Sequence, residues 1–588
     1  MYKRQECGSF RFTGTASELS GQPSNAQYNS YADFLLGLPD EVGKATQNLN
    51  PNSLRWSQWG WYVRDQYQIT SKLTVNYGLR WEYYPMAYSD IGGARVLDPS
   101  TMNVLVGGGN SGIPINDGVD TGHGLFLPRV GIAYRPMEKT VIRAGFGMSA
   151  DSNNWRFLRN AYPAVTISDF TGVGGNSSAP AASLTGLNAV GPYAGIQVGI
   201  PVTPVNGGTS PGTFPLPDAV GTTTIAKNFR RGYINSYNLT VEREFAKFVA
   251  NVGYVGSRGI RPLVNRNLNA APANGGQNGR VLNTEFNHTS DNVCPSATNP
   301  TAACKGWPDI GILAPLGNNY FDSLQAKLTR RFSGSSQIGF SYTYSKAIDY
   351  EDNEELGFLL WPFPAYIPRN KALAGFDRTH NFEAYGLYEL PFGRGKRFAQ
   401  SGLAAALAGG WQVNWVLSAL SGTPFTITDS GAGATFLNAP GNTQTANIVG
   451  PMKILNGKPA PSCAASNTAC KYFDTTAFQQ VTASTPGLLD GFFGNSGRNI
   501  LRGPGFFNLD MSLMRNFRIT ERFTFQFEAS AFGVTNTPHF NNPVNNGSNA
   551  DISRANFGVV TSTLVTTNAS LGGSGGERQW WFGGKLIF

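Results

Sequence analysis

Residues 72–83 read Lys72-Leu73-Thr74-Val75-Asn76-Tyr77-Gly78-Leu79-Arg80-Trp81-Glu82-Tyr83. Every odd position is apolar or aromatic, and every even position is charged, polar or glycine. A period of two gives a strand with one apolar and one polar face. Soluble sandwich strands usually stop at about five or six residues. About ten residues tilted by ~45° cross the hydrocarbon of a bilayer, so the length and purity of this alternation predict a membrane-crossing strand. Phe523, Phe525, Phe527, Ala529 and Ala531 repeat the pattern, as do Phe507, Leu509, Met511, Leu513 and Phe517, with Arg515 breaking that apolar face.

Further segments follow the same rule at residues 8–14, 55–68, 126–134, 140–149, 233–244, 248–256, 320–332, 337–346, 378–390, 409–420 and 578–588, giving about fourteen strands. Short links are expected at 69–71, 135–139, 246–247, 333–336 and 519–521. Between the hairpins lie long Gly/Pro/Asn/Ser-rich segments at 85–125, 150–232, 257–319, 347–377, 421–506 and 533–577; only 391–408 is of middling length. So many long loops argue against a compact soluble domain. Short periplasmic turns alternating with long extracellular loops characterise outer-membrane barrels. Counting back from the last strand puts every long loop outside and Phe588 in the periplasm. Residues 402–422 carry no charge over about one helical membrane span, but Gly409, Gly410, Gln412 and Asn414 at their centre favour a strand. Lipid demands that every backbone polar group be paired within the protein, so strands cross it only as closed barrels. The expected fold is all-β, an antiparallel transmembrane β-barrel. Trp56, Trp59, Trp61, Tyr83, Tyr84, Trp411, Trp580 and Trp581 suit interfacial girdles.

Composition agrees. The 588 residues contain 71 glycines and 12% aromatics, with only 14% charged residues, against roughly 25% charged in soluble domains. Mean hydropathy is −0.22, too low for a helical membrane protein. The net charge of +9 is spread without a Lys/Arg cluster, which argues against a nucleic-acid partner. Cys294 with Cys304, and Cys463 with Cys470, form two local pairs inside polar loops, as expected of small disulfides in an oxidising compartment; Cys7 is left over. His123, His288, His380 and His539 lack zinc-ligand spacing. Residues 1–13 contain no apolar run of signal-peptide type.

The chain ends Arg578-Gln-Trp-Trp-Phe-Gly-Gly-Lys-Leu-Ile-Phe588. Trp580, Phe582, Leu586 and Phe588 share one face, the form of a C-terminal barrel-assembly signal that the assembly machinery reads by strand addition. Several stretches resemble the Oar-like TonB-dependent receptors. They are Tyr31-Ala-Asp-Phe-Leu-Leu-Gly-Leu-Pro39, the hairpin over 61–82, Tyr254-Val-Gly-Ser-Arg-Gly259, Asp377-Arg-Thr-His-Asn-Phe382 and Leu390-Pro-Phe-Gly-Arg-Gly-Lys-Arg397. Gly422-Thr-Pro-Phe425, Gly497-Arg-Asn-Ile-Leu-Arg-Gly-Pro-Gly505, Asn508-Leu-Asp-Met-Ser-Leu513 and Asn536-Thr-Pro-His-Phe-Asn-Asn-Pro543 complete the set. The resemblance implies a signal peptide, an N-terminal sandwich, a plug and a barrel of about twenty-two strands. On that reading residues 1–588 are the C-terminal portion of the barrel, without plug or signal peptide. TonB would then be contacted only through a region outside this chain, and the chain alone would insert poorly.

The HExxH, P-loop and CxxC motifs are absent, so no enzyme and no cofactor are expected. Gly253, Gly256 and Gly259 read as a bend rather than a phosphate loop. Asp349, Glu351, Asp352, Glu354 and Glu355 form an acidic loop, a candidate Ca²⁺ site or simply a solvated face. Trp361, Phe363 and Tyr366 suit stacking on a sugar or siderophore, or packing between loops. Two functions follow: an outer-membrane importer for a solute of siderophore, glycan or peptide class, or a surface barrel for adhesion or secretion without energised uptake. Outer-membrane lipid is the expected partner in both.

Overall fold

The computed structural model describes the chain except residues 1–8, 13, 15–16, 18–25, 40, 49–52, 90–94, 152–154, 156–157, 160, 172–209, 218–219, 288–305, 332–335, 353–358, 456–470, 545–548 and 565–575. Its frame is a fourteen-stranded sheet in which thirteen long strands form one continuous meander. These are β1 (Trp59–Thr70), β2 (Leu73–Tyr83), β3 (Leu125–Met137), β4 (Thr140–Ala150), β5 (Tyr233–Phe245), β6 (Phe248–Ile260) and β7 (Asn318–Arg331). The rest are β8 (Gln337–Asp349), β9 (His380–Glu389), β10 (Trp411–Leu420), β11 (Phe506–Arg518), β12 (Thr524–Phe532) and β13 (Gln579–Ile587). Each strand pairs antiparallel with its sequence neighbours, and the fourteenth, Ala372–Leu373, pairs to one side with β8.

Short links at 71–72, 138–139, 246–247, 332–336 and 519–523 lie at one end of the sheet, and the long links at the other. At 246–247 the two-residue turn holds Ala246 at φ 46° and Lys247 at φ 69°, the doubly left-handed turn whose twist matches a hairpin. The middling link at 390–410 carries a helix, Gly402–Ala408, before β10 begins at Trp411. The uncharged stretch is therefore a turn-side helix followed by a strand, with Gly409 and Gly410 between them. No helix among the described residues is long and apolar enough to cross a membrane.

One expected strand is elsewhere. Ser9–Arg11 pairs with Glu41–Gln47 in a separate six-stranded sheet with Val165–Thr171, Val220–Ile225, Ile310–Pro315 and Leu263–Asn267. Three residues of regular pairing are too few to span a bilayer; partner strands on the loop side decided their place. With an odd number of strands in the meander, β1 and β13 run in the same direction, and each has a neighbour on one side only. Closing this sheet on itself requires a parallel contact between them; any other closure brings strands from beyond the thirteen.

Register fixes the faces. Trp61 lies opposite Trp81, Val63 opposite Leu79, and Tyr67 opposite Val75; Tyr77 lies opposite Val130, and Ile132 opposite Val75. The apolar row continues through Val241 and Val252 to Phe582 on β13. These side chains stand exposed, Val63 at 69% and Phe582 at 71%, because no second sheet covers them. The opposite face carries Asn76, Asn238, Gln325, Ser341, Asn414 and Gln526. On the apolar face the Tyr77 hydroxyl donates to Asp65 at 2.8 Å, and Arg258 pairs with Asp322 at 2.9 Å near the loop-side ends of β6 and β7.

Buried apolar side chains lie almost wholly in the loops. One cluster gathers Trp155, Leu158, Ile225, Phe229, Leu263 and Leu313; another gathers Val104, Val106, Tyr162, Val220, Trp307 and Ile310. Phe425, Ile427, Phe473, Phe478 and Phe557 form a third, and Trp361, Leu437 and Phe493 a fourth. The molecule is thus an apolar-outside wall topped by a cap with conventional cores.

Two outcomes follow. Ile132→Arg, in the middle of β3 on the apolar face, should cost about 2–4 kcal/mol of folding stability in lipid vesicles, while Ser341→Arg on the polar face of β8 should cost far less; urea titration of both variants reads this, and equal costs would contradict the face assignment. In the cap, Asp117 is 3% exposed, and burial pushes its carboxyl up to about 8 despite the opposing Gly107 N–H, the Arg95 charge and the Val96 N–H. A raised acid pKa gives stability that is complete below the ordinary carboxylate range and is lost as pH rises through about 8. Hydrogen exchange around Asp117, corrected for intrinsic rates, should show more opening near pH ~9 than near pH ~5, and Asp117→Asn should abolish the difference.

Candidate functional site at the loop-side mouth

The segments that meet the tops of β8 to β11 are stitched together by side chains from the sequence motifs. Arg498 bonds the Asp349 carboxylate, donates to the Asp349 carbonyl at 2.9 Å, and reaches Asp352 at 3.1 Å. Its Nε donates to the Asn370 carbonyl at 3.0 Å. Arg502 pairs with the buried Asp377, whose other oxygen accepts the Ala347 N–H at 2.6 Å. Arg378 donates to the Ser421 carbonyl at 2.6 Å, and the Asn499 amide donates to Leu373 O at 2.7 Å. Arg369 lies 4.0 Å over Trp361 and donates to Thr445 and to Ser496 O; burial pushes its guanidinium down to about 10. A guanidinium supplies several donors in a rigid plane, so one arginine bridges loops that begin far apart in sequence.

Inside this frame lies a cavity of about 580 Å³ lined by Tyr233, Ile234, Phe321, Asp349, Glu351, Asp352 and Phe376, among others. A second recess, of about 380 Å³, is lined by Glu82, Tyr84, Asp120, His123, Arg230 and Arg231. The two meet at Asp151, which lines the first and accepts from Arg231 through its carbonyl at 2.6 Å. The Arg231 guanidinium sits 4.1 Å over Tyr84, and burial lowers its pKa. One recess is acidic and aromatic, the other rich in arginine. In the second recess the Tyr84 hydroxyl donates to the Glu82 carboxylate at 2.6 Å.

Asp349 and Asp352 are held by Arg498, whose guanidinium takes the place a cation would fill. Glu351 lines the cavity, and Glu354 and Glu355 lie outside the described residues. Among the described residues no group of three or more His, Cys, Asp or Glu is placed to hold a metal ion. Trp361 is fully buried and donates to Thr443 O at 2.8 Å, and Tyr366 packs 4.5 Å from Phe493 and donates to Asp490. With Phe363 beside Tyr366, these rings pack loop against loop. Tyr84 turns under Arg231 instead of joining an interfacial girdle, whereas Trp59 and Trp61 stay exposed on the apolar face. Cys7, Cys294, Cys304, Cys463 and Cys470 lie outside the described residues. Trp580, Phe582 and Leu586 share the exposed face of β13, and Phe588 beyond it is 92% exposed. Arg230 and Arg231 were not singled out by sequence: adjacent arginines in a long loop carry no local signal.

Arg498→Gln leaves Asp349 buried without its charge partner and should destabilise the cap by about 3–5 kcal/mol. Limited proteolysis should then cut the loops around 350–379 and 421–505 while the strands persist. Unchanged cleavage would contradict the stitching role.

Among solved structures, the ferric enterobactin receptor of Pseudomonas aeruginosa is 8% identical over 90% of this chain and 44% of its own, with a TM-score of 0.38. A siderophore receptor of Acinetobacter baumannii is 8% identical over 94% and 52%, at 0.41. An iron transporter of Neisseria meningitidis is 11% identical over 97% and 49%, at 0.37. The chain spans about half the length of the solved structures it matches. No curated protein sequence matches it. The outer membrane beta barrel domain family matches residues 1–579. With a lipid-compatible outer face, a polar inner face and nearly the whole sequence matched, the chain belongs to the outer membrane β-barrel domain family.

Proposed function

We propose that this chain is the wall and loop cap of an outer-membrane receptor of the Oar-like TonB-dependent kind, importing a solute of the siderophore, glycan or peptide class. The observation that supports this reading is the cap itself. Its buried clusters and arginine ties hold two charged recesses over the polar face of the sheet, as a receptor that selects its solute before passage requires. A barrel serving only as a surface anchor has no use for recesses that open toward its interior. In this reading the long loops face outward and Phe588 lies in the periplasm. Energy for uptake arrives from the TonB complex. Trp580, Phe582, Leu586 and Phe588 form the strand that the barrel-assembly machinery captures.

The test uses cells that express the full reading frame, with and without functional TonB. They are offered labelled ferric siderophores, oligosaccharides and peptides. Accumulation of one class that requires both the barrel and TonB is the expected result. Equal accumulation without TonB, or loss of surface adhesion as the sole defect of a deletion strain, would favour the non-energised barrel. Replacing Trp580, Phe582 and Leu586 with serine should lower the assembled, heat-modifiable fraction several-fold.

A further inference from the structure

The polar face of the first strands holds an arrangement that neither the mouth nor the family membership explains. Pairing sets Arg64 opposite Gly78 on β2, and Gly78 opposite Arg129 on β3. The two arginines therefore stand at one height on either side of a glycine, their backbones about 9.5 Å apart. By alternation both side chains share the face of Asn76, away from the apolar row of Val63, Leu79 and Val130. Arg80 stands one step toward the loops on the strand between, bonded to Glu82. These residues, with Tyr62, Asn76 and Gly131, surround a recess of about 420 Å³ whose lining contains no carboxylate. Among the described residues, neither Arg64 nor Arg129 has an ion-pair partner.

Glycine makes the recess. A side chain at Gly78 would begin 2.8 Å from the Val63 carbonyl, so the backbones approach closely there and the floor stays open. At Gly131 the nearest atom to an added Cβ is Asn76 Cβ at 4.0 Å, so the space beside Arg129 is empty rather than filled by a neighbour. On the same face Glu82 shares β2 with Gly78 and is held by Arg80, while Glu242 on β5, Glu383 on β9, Asp510 on β11 and Glu528 on β12 lie on other strands. Around Gly78 three arginines of this face, Arg64, Arg80 and Arg129, thus stand together with one carboxylate, Glu82, which Arg80 holds.

We propose that Arg64 and Arg129, with Arg80 above them, form a binding site on the inner wall for a compact solute that carries two oxyanion groups, of the diphosphate or dicarboxylate type. Guanidinium planes bind such groups through paired hydrogen bonds, and two forks separated by a glycine fit two oxyanions better than one. Tyr62 and Asn76 supply further polar atoms at the rim of the recess. The site is a property of the wall and holds whether or not uptake is energised.

Isothermal titration of the detergent-folded chain with inorganic pyrophosphate, and with orthophosphate for comparison, tests this. Pyrophosphate should bind at one site per chain, at least tenfold more tightly than orthophosphate. The R64Q/R129Q double variant should lose at least tenfold in pyrophosphate affinity. R143Q removes an arginine of the same face outside the recess and should change it by less than twofold. Gly131→Leu fills the recess without altering charge and should weaken binding as the double variant does, which keeps the test decisive if the double variant does not fold. Absence of pyrophosphate binding, equal affinity for the two anions, or an equal loss in R143Q would overturn the proposal, the last by reducing the effect to diffuse charge.

Discussion

The backbone hydrogen bond in hydrocarbon is the constraint on which the rest of this structure depends. Inside a bilayer no water is available to pair an N–H or C=O, and each orphan costs several kcal/mol. The chain meets that demand with an antiparallel ladder of long strands, and the ladder then dictates where side chains go. Alternation sends Trp81, Leu79, Val130 and Ile132 toward lipid, and Asn76, Ser341 and Asn414 toward the interior. An apolar residue on a strand is therefore exposed in the isolated chain, and the burial rules of soluble proteins are inverted along the wall. The same demand makes the free edges of β1 and β13 significant: their outward N–H and C=O groups need partners wherever they meet lipid.

Above the wall the ordinary rules return. The cap buries Trp155, Phe229, Tyr162, Phe425 and Phe473, and its short sheets pair strands from segments far apart in sequence. Stability there comes from apolar burial and from arginines that bridge loops. Arg498 and Asp349 are both nearly buried, and removing either would strand a charge in a place where solvation cannot recover it. The motifs that carry the family resemblance, around Asp377, Gly422 and Gly497, turn out to be these bridges. They mark how the cap is tied to the wall and hold the two mouth recesses in register, with Asp151 and Arg231 at their junction.

The wall was legible in the sequence because a period of two is a local signal that needs no knowledge of partners. Residues 72–83, 507–517 and 523–532 announce their own faces, and each neighbour follows from the short turns. The cap was not legible, because its order is non-local: nothing near Ser9–Arg11 says that Glu41–Gln47 will pair with it. Likewise nothing near Trp361 says that Arg369 will cover it on one side and Thr443 accept its N–H on the other. The acidic run at Asp349–Asp352 shows the same gap. Sequence displays the carboxylates, while the compensating guanidinium comes from a segment far along the chain. The basic recess at Gly78 could have been found by aligning the polar positions of β1, β2 and β3, but only once their register was known.

The central claim is that one face of these strands meets lipid and the other a polar interior. Single nitroxide labels placed in turn along β3, from Phe126 to Tyr134, in the chain reconstituted into bilayers measure this most directly. Collision rates with oxygen should peak at Phe126, Pro128, Val130, Ile132 and Tyr134. Collision rates with a water-soluble nickel complex should peak at Leu127, Arg129, Gly131 and Ala133. A flat profile, or the opposite phase, would contradict the account.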